Sequence, residues 1–207
     1  MTRANMQLTD YDVEGAPEAT DLHLVAAPLS ELLTMELDGA AGALELSGDE
    51  ILLAALGRAV ERTIGGGSID VDVLGYGASL HRVELACASP DVLDADKMLV
   101  GVHRALDSLT VRHLIRGVPA DPRSQPVSSV LFAGGPTAAT QPHLGHVLEL
   151  RAYRDGDVLA LDWWFDARSF EPYTVRELSE QFPLALIELT SEATPPVHAT
   201  QELALAH

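Results

Sequence analysis

The sequence is short of several things, and each shortage closes off a class of explanation. Cys87 is its only cysteine among 207 residues, so no intrachain disulfide can form. Its place in the apolar run Val83-Glu84-Leu85-Ala86-Cys87 points to a small buried hydrophobe rather than a nucleophile. Aromatic residues make up only 5% of the chain, which leaves the core to Ala, Leu and Val. Cations are scarce too: 13 Lys and Arg against 31 Asp and Glu give a formal charge of −18. A surface of that sign repels nucleic-acid phosphates and anionic lipids, so nucleic acid and membrane are not expected partners. No run reaches the roughly 18 apolar residues of a membrane span, and Met1-Thr2-Arg3-Ala4-Asn5 begins without the apolar stretch of a signal peptide. The expected location is the cytoplasm.

What is present is enough for one domain. A chain of 207 residues can bury roughly 70% of its unfolded surface. Residues 1–20 carry Asp10, Asp12, Glu14 and Glu18 around Gly15 and Pro17 without an apolar period, and read as a flexible N-terminal arm. A short strand is expected over 21–27. A helix should start after Pro28 and stop near Gly39, with Leu29, Leu32, Leu33 and Leu37 on one face. Ser47-Gly48-Asp49-Glu50 has the spacing of a capping box, opening a helix that runs from Ile51 to the Gly65-Gly66-Gly67 break. Its Ala54, Ala55, Gly57 and Ala59 permit close approach by a neighbour.

Strands are expected over 68–76, closing on Gly75-Tyr76-Gly77, and over 80–87. A helix is expected over 91–109, prolonged by Val111–Ile115. An irregular connection follows, set by Pro119, Pro122 and Pro126. Val127–Phe132 reads as a strand and 134–142 as a loop. His146–Tyr153 and Val158–Phe165 form a hairpin around Asp155-Gly156. A last helix begins near Glu171-Pro172, with Thr174 and Glu177 at capping-box spacing, and a loose tail follows over 195–207. The order describes a single α/β (α+β) domain over 21–194, a mixed sheet covered by helices.

Four segments of this pattern resemble the C-terminal lobe of nonribosomal peptide synthetase condensation and epimerization domains, a lobe of the chloramphenicol acetyltransferase-like fold. Glu50–Val60 is similar to that family's Asp-Leu-Leu-Leu-Ala-Ala-Leu helix. Ser68–Gly77 resembles the strand that ends in Glu-Gly-His-Gly. Val127–Phe132 stands where the family reads Val-Ser-Phe-Asn-Tyr-Leu-Gly. Leu161–Phe170 resembles the closing strand and turn before the last helix. The resemblance implies chemistry by a His-His-x-x-x-Asp-Gly segment of the first lobe, and the sequence contains no adjacent histidines. In epimerization domains the Glu of Glu-Gly-His-Gly assists that histidine in moving an α-proton. The matching positions here are Leu74 and Tyr76, and leucine takes no proton. Val130-Leu131 likewise replace the family's Asn-Tyr.

The resemblance therefore implies a non-catalytic relative, a binding or assembly module of nonribosomal peptide or acyl-transfer metabolism, with no cofactor. The alternative is an acyltransferase whose site is completed at a homodimer interface or by a first lobe supplied in trans, with His81 or His146 as base. A lobe presenting an apolar seam implies a homodimer, a partner protein, or an acyl or peptidyl carrier protein. Candidate binding or interface residues are Tyr76, Trp163, Trp164 and Phe165. On a strand, adjacent Trp163 and Trp164 must face opposite sides of the sheet.

Other constellations are weaker. His143-x-x-His146 has ligand spacing, but in a Pro and Gly loop it reads as two solvated side chains, and no metal is expected. There is no Gly-x-Ser-x-Gly elbow for a serine hydrolase. Gly65-Gly66-Gly67-Ser68 has no P-loop lysine and acts as a helix stop.

Overall fold

A computed structural model of the chain describes residues 6–74, 80–116, 128–140 and 143–196. Six strands form one mixed sheet. In chain order they are β1 (Leu22–Ala26), β2 (Gly67–Leu74), β3 (Leu80–Cys87), β4 (Val130–Gly134), β5 (Leu148–Asp155) and β6 (Val158–Asp166). Across the sheet the order is β1-β6-β5-β4-β2-β3. β4 runs parallel to both β2 and β5, and the outer pairings are antiparallel. Four helices, α1 (Glu31–Leu44), α2 (Gly48–Thr63), α3 (Ala95–Arg116) and α4 (Pro172–Glu192), share the large core with one face of this sheet.

α2 is the centre of that core. Ser47 and Glu50 form the expected reciprocal cap, with the Ser47 amide 2.5 Å from Glu50 Oε2. Every residue from Glu50 to Val60 is buried, so this stretch of the helix has no solvent face to keep polar. Its one interior cation, Arg58, is fully buried and satisfied. It pairs with Glu188 of α4 at 2.9 Å and donates to the carbonyls of Ala88 and Leu93. Gly57 lies where α2 meets β3 and α3: a Cβ there would stand 2.4 Å from the Ala86 carbonyl oxygen and 2.5 Å from the Met98 methyl.

Local boundaries differ from the sequence reading where a specific contact outweighs propensity. α1 does not stop at Gly39; it runs on to Leu44 and ends on Glu45 in the left-handed region, φ 57°. α4 begins at Pro172 with Glu171 as its cap, without the expected Thr174 box. Proline at the first helical position has no N–H to satisfy. β4 starts at Val130, and Ser128 just before it donates its hydroxyl to the Val130 carbonyl at 2.7 Å. The hairpin forms as expected, with Gly156 at φ 61° in the two-residue turn. The early acidic stretch is docked from Met6 onward. Leu8 is buried, Met6 donates to Ser68, and Asp10 and Tyr11 donate to the Ser169 carbonyl.

Parallel neighbours demand long crossovers, and this chain uses both sides of its sheet for them. The path from β2 to β4 returns through β3 and α3 on the helical side. On the path from β4 to β5, the described residues 135–140 and 143–147 lie over the opposite face. This path contains a short 3-10 turn (Pro136–Ala139), whose Ala138 packs with Leu131 and Ala133 in a second, smaller core. No described helix is long and apolar enough to cross a membrane.

Candidate functional site

Strand register draws one transverse row across the sheet on the face away from the helices. Leu24 of β1 stands opposite Trp164 of β6, Trp164 opposite Glu149 of β5, and Glu149 opposite Leu131 of β4. The row continues from Leu131 to Asp72 of β2 and from Asp72 to Arg82 of β3. Two carboxylates thus flank a fully buried leucine. The 135–147 crossover lowers His146 between them, and Gly145, at φ 88°, makes the backbone turn just before it.

His146 Nε2 is 3.0 Å from Asp72 Oδ2, and its Nδ1 is 3.7 Å from Glu149 Oε1. The imidazole is completely buried. Asp72 Oδ2 also accepts the Ser128 amide at 2.9 Å, and Asp72 Oδ1 lies 3.3 Å from Arg82 Nε. Glu149 is held by Arg151 Nη2 at 2.6 Å and by the Leu144 amide at 2.7 Å. Arg151 also donates to the Ala138 carbonyl, tying the crossover to β5.

Electrostatics follow from this crowding. Burial alone would raise the Asp72 carboxyl. Hydrogen bonds from His146, Ser128 and Arg82 outweigh it and bring the pKa down to about 2. Burial would lower His146, but Asp72 and Glu149 reverse the sign and hold it above its ordinary value. Glu149 is pulled down, against its burial, by His146, Arg151 and the Leu144 amide. His143, whose Nδ1 lies 2.8 Å from Glu149 Oε1, is lowered by burial despite that neighbour. The pair is therefore not solvated as its loop composition implied. Among the described residues no group of three such side chains is arranged to hold a metal ion.

The other candidates are dispersed. His81 stands opposite Val73, on the helical side of the sheet, so β2 and β3 separate it from His146. Trp163 is fully buried under α4, its ring 5.5 Å from Phe182 and nearly perpendicular to it. Phe165 is also core, edge-on to His23 at 5.7 Å. Trp164 alone of the three faces the open side, half-buried between Leu24 and Glu149. Leu74 belongs to the smaller core, and Tyr76 lies outside the described residues. Asp72, Glu149 and Arg151 escaped the sequence reading. Asp72 read as the solvent side of an alternating strand, and a glutamate between Leu148 and Leu150 gives no sign that it is buried.

At the carboxyl end of β4, Gly134 faces Asp49 of α2: a Cβ at this glycine would come within 2.2 Å of the Asp49 carboxylate. Burial, and then the neighbouring Glu50, raise the Asp49 pKa.

No known family profile matches the sequence. Over an alignment 232 positions long, gaps included, the chain is 32% identical to a phenolphthiocerol/phthiocerol polyketide synthase subunit of Mycobacterium tuberculosis, and equally to that of Mycobacterium bovis. The alignment takes in 90% of this chain and 16% of the synthase polypeptide, so the chain spans a small part of the curated relatives it matches. Among solved structures it superimposes on the epimerization domain from the third module of tyrocidine synthetase B. The TM-score is 0.68 at 14% identity, over 92% of this chain and 52% of the other. The X-domain from teicoplanin biosynthesis, solved in complex with OxyB, gives 0.66 at 13%, over 93% and 50%. The first condensation domain of the CDA synthetase gives 0.62 at 18%, over 90% and 48%. The chain has the fold of condensation and epimerization domains and covers about half of each.

Proposed function

We propose that this chain is a non-catalytic lobe that works as a binding or assembly module in polyketide or nonribosomal peptide synthesis. The observation that carries the reading is the state of His146. The imidazole is sealed under the crossover with its Nε2 engaged by Asp72, as befits a structural clamp rather than a base awaiting a substrate proton. Leucine at position 74, where epimerization domains carry glutamate, points the same way. Kinship with a polyketide synthase supports the metabolic setting, and an X-domain solved with OxyB supports protein recognition as a use of this fold. The module's partner is then a synthase segment, a carrier protein or a second copy of the chain.

The test has two arms. Light scattering and titration calorimetry with carrier and synthase segments should register association. Incubation with carrier-bound acyl thioester and an amine or alcohol acceptor should give no transfer product above the buffer rate. Transfer abolished by His146→Ala or His81→Ala would replace this reading with an acyltransferase completed at an interface.

A further inference from the structure

The described sheet ends on β3 at one side and on β1 at the other, and the two edges are built differently. An outer strand leaves a row of N–H and C=O groups unpaired, and charges or proline along it deter further strands from adding there. β3 carries His81, Arg82 and Glu84. β1 (Leu22-His23-Leu24-Val25-Ala26) has no lysine, arginine, carboxylate or proline, and its register with β6 runs from Leu22 to Ala26 without a bulge. The direction of its free groups follows from the bonds beside it. The Ala27 amide donates to the Leu161 carbonyl, and the Asp21 carbonyl accepts from the Ala167 amide, so the odd-numbered positions point at β6. Alternation turns the N–H and C=O of Leu22, Leu24 and Ala26 outward. Among the described residues no neighbour takes them. Leu24 is 43% exposed and Ala26 is exposed as well, so the edge is reachable from solvent. We propose that β1 accepts an extended basic segment of a partner polypeptide as a seventh strand of the sheet.

Main-chain hydrogen bonds hold such a segment, and the side chains around them select it. Leu24 stands opposite Trp164 on the open face, so an apolar residue paired with Leu24 extends a surface that is already apolar. Charge decides what must flank that residue. From residue 4 to residue 57 the chain has eleven Asp and Glu and no Lys or Arg, and β1 lies within this stretch. At the start of the strand Arg168 is already held by Asp166 and Asp21, and Glu18 is exposed beside them. At its end Asp162 stands opposite Ala26, and Glu31 is exposed in the first turn of α1. A second copy paired through β1 sets two such acidic stretches side by side, with no cation from either to relieve them. Lys or Arg at the ends of an incoming strand turns that repulsion into attraction. The edge serves a binding module and an enzyme alike, so it stands apart from the question of catalysis.

The experiment is an NMR titration of the full chain, with amide hydrogen exchange read residue by residue. The probes are the peptide Lys-Arg-Val-Thr-Val-Thr-Val-Arg-Lys and the same peptide with Glu and Asp in place of Lys and Arg. In the free chain the amides of Leu22, Leu24 and Ala26 should exchange fast, and those of His23 and Val25 slowly. Excess basic peptide should slow the first three by about tenfold or more. The acidic peptide should bind about tenfold more weakly or worse, with added salt narrowing the gap. N-methylation of alternate peptide amides should abolish binding in one phase of the alternation and spare it in the other, because one side of a strand faces β1. Ala26→Pro removes one outward amide without taking a bond from β6, and should weaken the basic peptide by about fivefold, the worth of one backbone hydrogen bond. Leu24→Lys keeps every backbone bond and sets a like charge against the peptide, and should weaken it by about tenfold. Glu84→Ala on the opposite edge should leave binding unchanged. Protection of Leu22, Leu24 and Ala26 in the free chain that rises with protein concentration would assign the edge to a second copy and overturn the proposal. Protection independent of concentration, equal binding of the acidic peptide, or equal loss from both N-methylated peptides would overturn it too.

Discussion

His146 reaches across Leu131 to Asp72, Nε2 to Oδ2 at 3.0 Å, and so fastens the 135–147 crossover to a strand two positions away from the one it enters. The contact joins residues 74 positions apart in sequence.

Its first consequence is a stability profile with two limbs. His146 has a raised pKa in the folded state, so its contribution is complete below the unfolded value near 6.5 and fades as pH rises through the folded value. Asp72, lowered to about 2, contributes fully above its unfolded value near 4 and loses that contribution as pH falls toward 2. Urea midpoints measured from pH 2 to 9 should therefore decline at both ends. His146→Gln should flatten the alkaline decline, and Asp72→Asn the acid one. At neutral pH Asp72→Asn should cost about 1–3 kcal/mol, since it weakens bonds to His146, Ser128 and Arg82.

The close approach at Gly57 supplies a steric test. Gly57→Ala should destabilise by about 1–3 kcal/mol, because the Ala86 carbonyl it meets is backbone and cannot swing aside. Gly101→Ala, in open space on α3, should be neutral or stabilising by up to about 1 kcal/mol. Chemical denaturation of the two variants side by side separates sterics from helix propensity.

Arg58 is the buried cation of α2, and Glu188 answers it from α4 at 2.9 Å. Arg58→Ala should cost about 2–5 kcal/mol, because it leaves the Ala88 and Leu93 carbonyls without this donor and Glu188 with Arg62 as its remaining partner. Glu188→Gln should cost less, since the amide oxygen still accepts. Thermal melts of both variants give the comparison.

The two tryptophans should separate by spectroscopy. Trp163→Ala should cost about 3–5 kcal/mol, and Trp164→Ala less, since its ring is only half-buried. With Trp164 replaced by Phe, the remaining emission should resist acrylamide. With Trp163 replaced by Phe, it should be quenched.

Burial, with Glu61 adding to it, pushes the Cys87 thiol up to about 12. Folded protein at pH 8 should therefore react with a disulfide reagent far more slowly than protein in urea, the thiolate being the reactive form. Equal rates would place Cys87 outside the core.

Much of the architecture could be read from the chain because local rules governed it. The Ser47–Glu50 cap, the 80–87 strand and the hairpin at Gly156 depend on spacing and turn chemistry that lie within a few residues of each other. The charged row could not be read so. Asp72, Leu131, His146 and Glu149 meet only because β4 inserts between β2 and β5 and its crossover doubles back over the open face. Alternation assigned Asp72 to a side of its strand but gave no hint that a loop would cover that side. Trp163 and Trp164 fell on opposite faces as adjacent strand residues must. Which face held the core depended on where α4 came to lie.

The pairing of β1 with β6 has a consequence for biosynthesis. Residues 22–26 leave the ribosome well before the strand that must receive them, which is not finished until residue 166 has left the exit tunnel. Through the synthesis of the residues between them, that segment has no native partner. Completion of the sheet is therefore a late event, and folding should show the slow kinetics of long-range strand pairing rather than the fast collapse of a helical bundle. Ribosome-arrested chains ending before residue 158 should leave β1 open to protease, and those extending well past residue 192 should protect it.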